Sequence, residues 1–434
     1  MVGAGWGGVA YDGGMLRRQM LQLFPALGLA QKAGNGPLKI TGIEGIVIRT
    51  PHDGAAAESL IEMPPVGAMT GGIGLGNRLD HASPSRFKGR TQAVLVKITT
   101  AQGLTGWGEC HAPAAPRMHE RIISDALAPL LVGLDARNVE ALWDRMYSSE
   151  RLRGYSTGPF LEAIAGIDLA LWDLLGKFTG QPVYQLLGGK YRDSIPTYIG
   201  LGGATAEQLR ENAAKALAAG FTTMKMGLSK GAGTRDTERA AIAAEAIRGK
   251  GQLLVDSLGG YKFHEAVTVG RELDRMKAIG WWEDALMPEE TAAYPKLADA
   301  LDVAICVGET YSNRFQFRDL FAVRGAEIIN PDICRAGGVT ECRRIAVLAD
   351  AHGVLWSPHV STGTALYWSA SAHMAVATSN CVIMEGGNLM AGAFGNALLK
   401  KPVAYTPGSA APPEGPGFGI EFDEEALARV TVRG

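Results

Sequence analysis

The sequence predicts an α/β protein in which a (β/α)7β barrel of the TIM type carries an α+β capping domain, formed by the N-terminal region and the C-terminal tail. Three observations predict it. After about residue 194, short apolar runs alternate strictly with helical segments, the pattern of strands joined through helices. Before that point the text alternates like a small sheet and then turns helical. Finally, nearly every apolar run of the second half ends on a polar group, as expected where parallel strands deliver side chains to one mouth.

The composition bounds the rest. A chain of 434 residues is long enough for two or three domains. With 47% hydrophobic residues, 20% charged residues and a net charge of −2, it reads as an ordinary globular protein. It has no basic excess for a phosphate backbone, so nucleic acid is excluded as a partner. No run reaches the roughly 18 to 20 apolar residues that would span a bilayer, so no membrane partner is expected. The five cysteines, Cys110, Cys306, Cys334, Cys342 and Cys381, show no ligand spacing and read as small apolar residues.

Residues 1–39 read as an N-terminal extension. Within it Arg17 and Arg18 precede the apolar run Leu23 to Ala30, which resembles a twin-arginine export leader. A cytoplasmic enzyme is the first expectation and a periplasmic one the alternative. Residues 40–190 form the expected capping domain. Ile43, Ile46 and Ile48, then Ala93, Leu95 and Ile98, fit strands, and the Gly/Pro/Ser-rich stretch from Met63 to Gly89 between them reads as an active-site flap. Residues 117–187 are helical, with Ile164, Leu169, Leu171, Leu174 and Leu175 on an apolar stripe that ends near Gly176.

The barrel is expected over 191–403. Strands are placed near 196–200, 222–226, 252–256, 280–283, 303–308, 327–331, 354–357 and 381–384. The helix at 205–219 is the best delimited, with a Thr205/Gln208 capping box and a stop at Gly220. The Pro/Gly-rich tail, 404–434, is expected to return to the cap. A doubly wound sheet is the competing architecture, but no GxGxxG opens a helix after the first strand.

The strand ends carry Lys225, Asp256, Glu283, Glu309, Asp332, His359 and Glu385 in order. Successive members are 23 to 31 residues apart, about one strand-helix unit each, so they should stand around one ring. A single acid at a strand end is more often solvated or ion-paired. Three on consecutive strands, Asp256, Glu283 and Glu309, cannot all stay ionised in a shared pocket without a counter-charge. A hard dication supplies it, and all-oxygen ligation favours Mg²⁺ over Zn²⁺. One strand before His359 lies Asp332, able to accept from one ring nitrogen and raise the basicity of the other, the base-plus-orienter pair of general acid/base catalysis. His264 and His352 fall in helical segments and read as structural, as do Cys306 and Cys334, which lack an evident base.

The order Lys, Asp, Glu, Glu, Asp, His, Glu resembles the enolase superfamily, in its mandelate racemase and muconate-lactonising branch. The segment Ala163 to Lys177, followed by Gln181 to Gly189, resembles that branch's bridge from cap to barrel, and Asp332 to Glu341 its sixth-strand segment. The likeness covers roughly residues 40 to 425. It implies a specificity-setting cap, a catalytic barrel, one Mg²⁺ held by Asp256, Glu283 and Glu309, and an even-numbered homo-oligomer between dimer and octamer. The branch usually carries a second lysine two residues after the first, as the base opposite the histidine. Here Lys225-Met226-Gly227 puts a glycine there, and Leu258 and Ala285 replace a polar residue and a proline.

Racemisation needs a base on one face and an acid on the other, so Gly227 argues against it. Elimination needs one face only. The expectation is therefore a Mg²⁺-dependent lyase in which His359, oriented by Asp332, removes the proton next to a carboxylate of a sugar acid and then protonates the departing β-hydroxyl. Lys225 and Glu385 would contact the substrate carboxylate, and Lys230 could swing in for the missing lysine. Arg78, His81, Arg86 and Lys88 in the flap, with Arg151 and Arg153, are candidate substrate contacts. A cycloisomerase opening a lactone or anhydro-sugar acid is the nearest alternative, and a silent sugar-acid binder a third.

Overall fold

The computed structural model describes residues 36–50, 92–113, 115–228, 234–386 and 394–432. Arg17, Arg18, the flap residues Arg78, His81, Arg86 and Lys88, and Lys230 lie outside the described residues.

Strands β1 (Ile40–Arg49), β2 (Gln92–Thr100) and β3 (Thr105–Cys110) make an antiparallel sheet in that order. The helix Pro159–Thr179 lies across it and is buried along nearly its whole length, so its apolar surface goes right round instead of forming a stripe. It also runs past Gly176: the stop is Gly180, left-handed at φ 69°. Gly176 is instead where the returning tail passes, since a Cβ there would stand 2.5 Å from the Gly417 nitrogen. Gly108 of β3 meets the helix so closely that a Cβ would lie 1.9 Å from the Gly166 carbonyl oxygen. Any larger residue there would force sheet and helix apart.

The eight barrel strands are β4 (Ile195–Gly200), β5 (Thr223–Gly227), β6 (Gln252–Asp256), β7 (Ile279–Glu283), β8 (Ile305–Val307), β9 (Ile328–Ile329), β10 (Leu355–Trp356) and β11 (Met384–Glu385). They pair in parallel from β4 through β10, and β11 pairs in parallel with β4. Just before β11, Cys381 bridges Trp356 of β10, and the Val382 N–H donates to the Trp356 carbonyl at 3.0 Å. The last strand is thus shared: its start leans on β10 and its end on β4, which closes the ring. This also shifts the final strand, expected at 381–384, to Met384–Glu385.

Side chains alternate across each strand. Tyr198, Leu254, Trp281, Cys306, Ile328 and Ile383 form one buried cluster, the barrel lining. Their outward neighbours, such as Val255 and Trp282, join the larger core beneath the helices. The helix Ala206–Ala219 carries the Thr205/Gln208 capping box and ends at Gly220, φ 103°.

Cap and barrel are joined by buried hydrogen bonds. Asp168 of the long cap helix accepts from the Thr340 N–H (3.0 Å) and hydroxyl (2.6 Å). Trp143 Nε1 donates to the Gly337 carbonyl at 2.7 Å. Ser409–Ala410, strand β12, pairs antiparallel with β4. The tail then reaches the cap: the Phe418 N–H donates to Asp173 Oδ1 at 3.1 Å, Phe422 packs edge-on to Trp107, and Thr431 bridges Ile48 of β1. All five cysteines are free and buried. No helix among the described residues is long and apolar enough to cross a membrane.

Candidate active site

The strand alternation that lines the barrel also aims its polar ends. Lys225 follows Met224 and precedes Met226, both in the outer core, so its side chain points inward. Asp256 follows Leu254 by two residues and Glu283 follows Trp281 by two, so both share the lining face. Glu309 comes after Gly308, which takes φ 140° with the Phe317 ring 2.7 Å from where a Cβ would be. That turn, open to glycine and closed to larger residues, brings Glu309 back over the mouth.

The structure brings all seven strand-end residues together. A carboxylate oxygen from each of Asp256, Glu283 and Glu309 lies within 4.8 Å of the other two. The Lys225 ammonium sits 3.3 Å from Asp256 Oδ2, 2.9 Å from Glu283 Oε1 and 3.1 Å from Glu385 Oε1. Tyr198 lies under it, ring centre 5.4 Å from Nζ. On the other side of the mouth His359 Nδ1 is 2.7 Å from Asp332 Oδ2, while Nε2 faces Glu309 Oε2 at 3.2 Å and Glu385 Oε2 at 3.7 Å. With Nδ1 committed to Asp332, Nε2 is the nitrogen that faces the carboxylates of the mouth.

Electrostatics follow from the crowding. Burial raises the Glu283 and Glu309 carboxyls above their usual range, and the neighbouring acids add to it. Burial would lower the Lys225 pKa, but the charges of Glu283, Glu385 and Asp256 outweigh it and drive it well above normal. Burial likewise works against a charged His359, yet Glu309, Glu385 and Asp332 push it up to about 10. Asp332 is fully buried and still falls below the ordinary carboxylate range, because its bonds to His359 and Tyr367 and the nearby imidazole charge exceed the burial penalty. One ammonium cannot neutralise so many acids. The three-carboxylate cluster is an all-oxygen donor set, the kind that suits a hard dication.

Residues 84–188 match the family described as mandelate racemase / muconate lactonizing enzyme, N-terminal domain, and residues 208–426 match the enolase C-terminal domain-like family. The chain belongs to the enolase superfamily. Within the superfamily it is similar to D-galactarolactone cycloisomerase of Agrobacterium fabrum, at 34% identity over 81% of this chain and 95% of that protein. It is similar to D-galactonate dehydratase of Xanthomonas axonopodis pv. citri, at 33% identity over 80% of this chain and 92% of that one. Among solved structures, 3,6-anhydro-D-galactonate cycloisomerase from Zobellia galactanivorans superposes with a TM-score of 0.75, at 28% identity over 91% of this chain and all of that one.

Against that superfamily site, several residues of this chain went unread in the sequence. Asn330 donates to Glu283 Oε1 at 2.9 Å and Trp281 Nε1 to Glu283 Oε2 at 3.3 Å. Alternation points to both: Asn330 is two residues before Asp332, and Trp281 two before Glu283. Tyr367, whose hydroxyl donates to Asp332 Oδ2, lies in a helix one loop beyond His359 and carries no local signal. Glu109 ends a strand of the cap and is buried behind the loop after β10, accepting from Thr364. Arg151 and Arg153 are exposed in a short 3-10 turn. Arg151 stacks on Tyr147 and Phe315, and Arg153 pairs with Glu150.

Proposed function

We propose that this superfamily member is a Mg²⁺-dependent sugar-acid dehydratase, which converts an aldonate or aldarate to a 2-keto-3-deoxy acid. The observation that carries the reading is asymmetry across the mouth. His359 is a histidine base oriented by Asp332, whereas Gly227, beside Asp256 at the end of β5, holds nothing that could exchange a proton from the opposite face.

Asp256, Glu283 and Glu309 would hold the cation. When bound, it supplies positive charge where the substrate carboxylate becomes more negative as the α-proton leaves. The chain's own groups do the rest. Asp332 keeps His359 with Nδ1–H pointing inward, and Nε2 would take the α-proton once the Glu309 charge that favours a protonated ring is met by the cation. The C–H electron pair moves onto the carboxylate as an enediolate, and it returns to form the new double bond between the α- and β-carbons only as the β-hydroxyl leaves. The protonated ring then gives that proton to the β-hydroxyl, the carbon-oxygen bond breaks, and water departs from the face the proton left. The resulting enol tautomerises to the 2-keto-3-deoxy acid. Lys225, a buried cation among the acids, complements the charge building on the carboxylate, and Glu385 stands between Lys225 and His359.

D-Galactonate dehydratase and D-galactarolactone cycloisomerase are similar to this chain at nearly equal identity, so a cycloisomerase is the second reading. It uses the same proton abstraction but expels a ring oxygen that stays in the product. Incubating the full chain with Mg²⁺ and a panel of aldonates, aldarates and their lactones decides between them. A dehydratase gives a keto acid lighter than substrate by one water, and a cycloisomerase gives an isomer. No keto acid from any member of the panel overturns the dehydratase.

A further inference from the structure

The buried carboxylate of Asp332 accepts from three groups. His359 Nδ1 lies 2.7 Å from Oδ2 and the Cys334 N–H 2.8 Å from Oδ1. The third donor is the Tyr367 hydroxyl, on the same Oδ2 that orients the imidazole. Tyr367 is wholly buried, and burial pushes its phenol pKa well above normal, so it stays protonated and a donor. Its oxygen in turn accepts the Ser361 N–H at 3.1 Å. One hydroxyl therefore ties the carboxylate of the dyad to the loop that follows the histidine of the dyad.

That hydroxyl is itself anchored from the cap. Tyr367 sits in the first turn of the helix Ala365–Val376, whose N-cap is Thr364. Glu109, at the end of β3, accepts from the Thr364 N–H at 3.0 Å and from its hydroxyl at 2.5 Å. Gly363 between them has no room for a side chain, since a Cβ would lie 2.5 Å from the Tyr367 ring and 2.6 Å from Glu109. Loop, helix start and tyrosine are fixed together.

We infer that Tyr367 is a positioning residue for proton transfer: it holds Asp332 in place and registers the His359 loop against it, from a helix that Glu109 of the capping domain locks. The inference rests on the reading of His359 as the base. It adds that the cap, through Glu109, sets the geometry of the base itself. Groups that orient an acid or base from behind are worth about 10- to 100-fold in activity, and small displacements of reacting atoms cost as much.

The test is Tyr367→Phe in the full chain with Mg²⁺. Expected are kcat lower by about 10- to 100-fold, with KM, Mg²⁺ affinity and melting temperature at wild-type values. In substrate-free protein with labelled histidines, the Nδ1–H proton resonance of His359 should move from its wild-type position. An unchanged kcat or an unmoved resonance overturns the inference. So does a joint loss of melting temperature, Mg²⁺ affinity and KM, which would make Tyr367 a packing residue. If the variant does not fold, 3-fluorotyrosine at position 367 keeps both hydrogen bonds and makes the hydroxyl a stronger donor; kcat and the resonance must then change, and constancy of either overturns the proposal. A His359→Asn control separates the two levels. Turnover in that variant would sink the reading of His359 as base, while the resonance still decides whether Tyr367 positions the ring.

Discussion

The two sides of the barrel mouth are held together by different physics. The arc from β5 to β8 gathers Lys225, Asp256, Glu283 and Glu309, three carboxylates at close quarters with a single ammonium that pairs with two of them. The side formed by β9, β10 and the helix behind them holds Asp332 and His359 through a chain of directed hydrogen bonds reaching back to Glu109. The first side is incomplete without a counter-ion. The second is complete as it stands. The two sides touch where His359 Nε2 faces Glu309 Oε2 at 3.2 Å.

The comparison can be broken by treating each side alone. Removing divalent cations with a chelator should abolish turnover and lower the melting temperature, and both should return with added Mg²⁺. The stabilisation should grow with concentration, to about 2.7 kcal/mol at one hundred times Kd. Indifference of both turnover and melting to chelation would mean that Lys225 alone balances the acids. The converse change, His359→Asn, should lower kcat by about 10²- to 10⁴-fold and end α-proton exchange with D₂O, while calorimetric Mg²⁺ affinity stays put. Loss of Mg²⁺ binding in that variant would show that the two sides are one unit.

Smaller effects sharpen the division. Asn330→Ala removes a hydrogen bond to Glu283 and should weaken Mg²⁺ binding by about 10- to 100-fold, with kcat at saturating Mg²⁺ nearly intact. A fall in kcat that Mg²⁺ does not restore would place Asn330 with the chemistry instead. Glu109 makes the base side sensitive to pH. Burial raises its pKa from 4.5 to about 7, against its bonds from Thr364. Below the lower value both native and unfolded chains carry the proton. Between the two the unfolded chain has released it and the native one has not, so stability falls as pH rises through that window. Glu109→Gln should flatten this part of the stability curve, moving the melting temperature at pH 8 by roughly a few degrees. An unchanged curve would show that the native carboxyl titrates normally.

The same division governs what could be read from the sequence. The acidic arc was legible because each member stands at the end of an apolar run, one strand-helix unit from the next, and strand alternation settles its direction. Asp332 and His359 were legible by the same periodicity. What holds them was not. Tyr367 reaches Asp332 only because a loop folds back after β10, and Glu109 reaches that loop only because the cap docks there; no spacing along the chain encodes either approach. The long cap helix shows the same limit on a larger scale. Its stripe suggested an end at Gly176, but the tail returning at Gly417 buries the remaining face, and the helix continues to Gly180. The last barrel strand moved for a related reason, since its residues are divided between neighbours at opposite ends of the sheet order.

The tail's route has a consequence for how the protein is made. Thr431 pairs with Ile48, and the Val432 N–H reaches the Val47 carbonyl at 2.8 Å, so the first strand of the cap sheet takes a partner that follows every barrel strand in the chain. A chain emerging from the ribosome in order can assemble every strand bearing Lys225 to Glu385 while the edge of the cap still waits for its last partner. The strands that carry the active site can therefore pair before the edge of the cap sheet gains that partner.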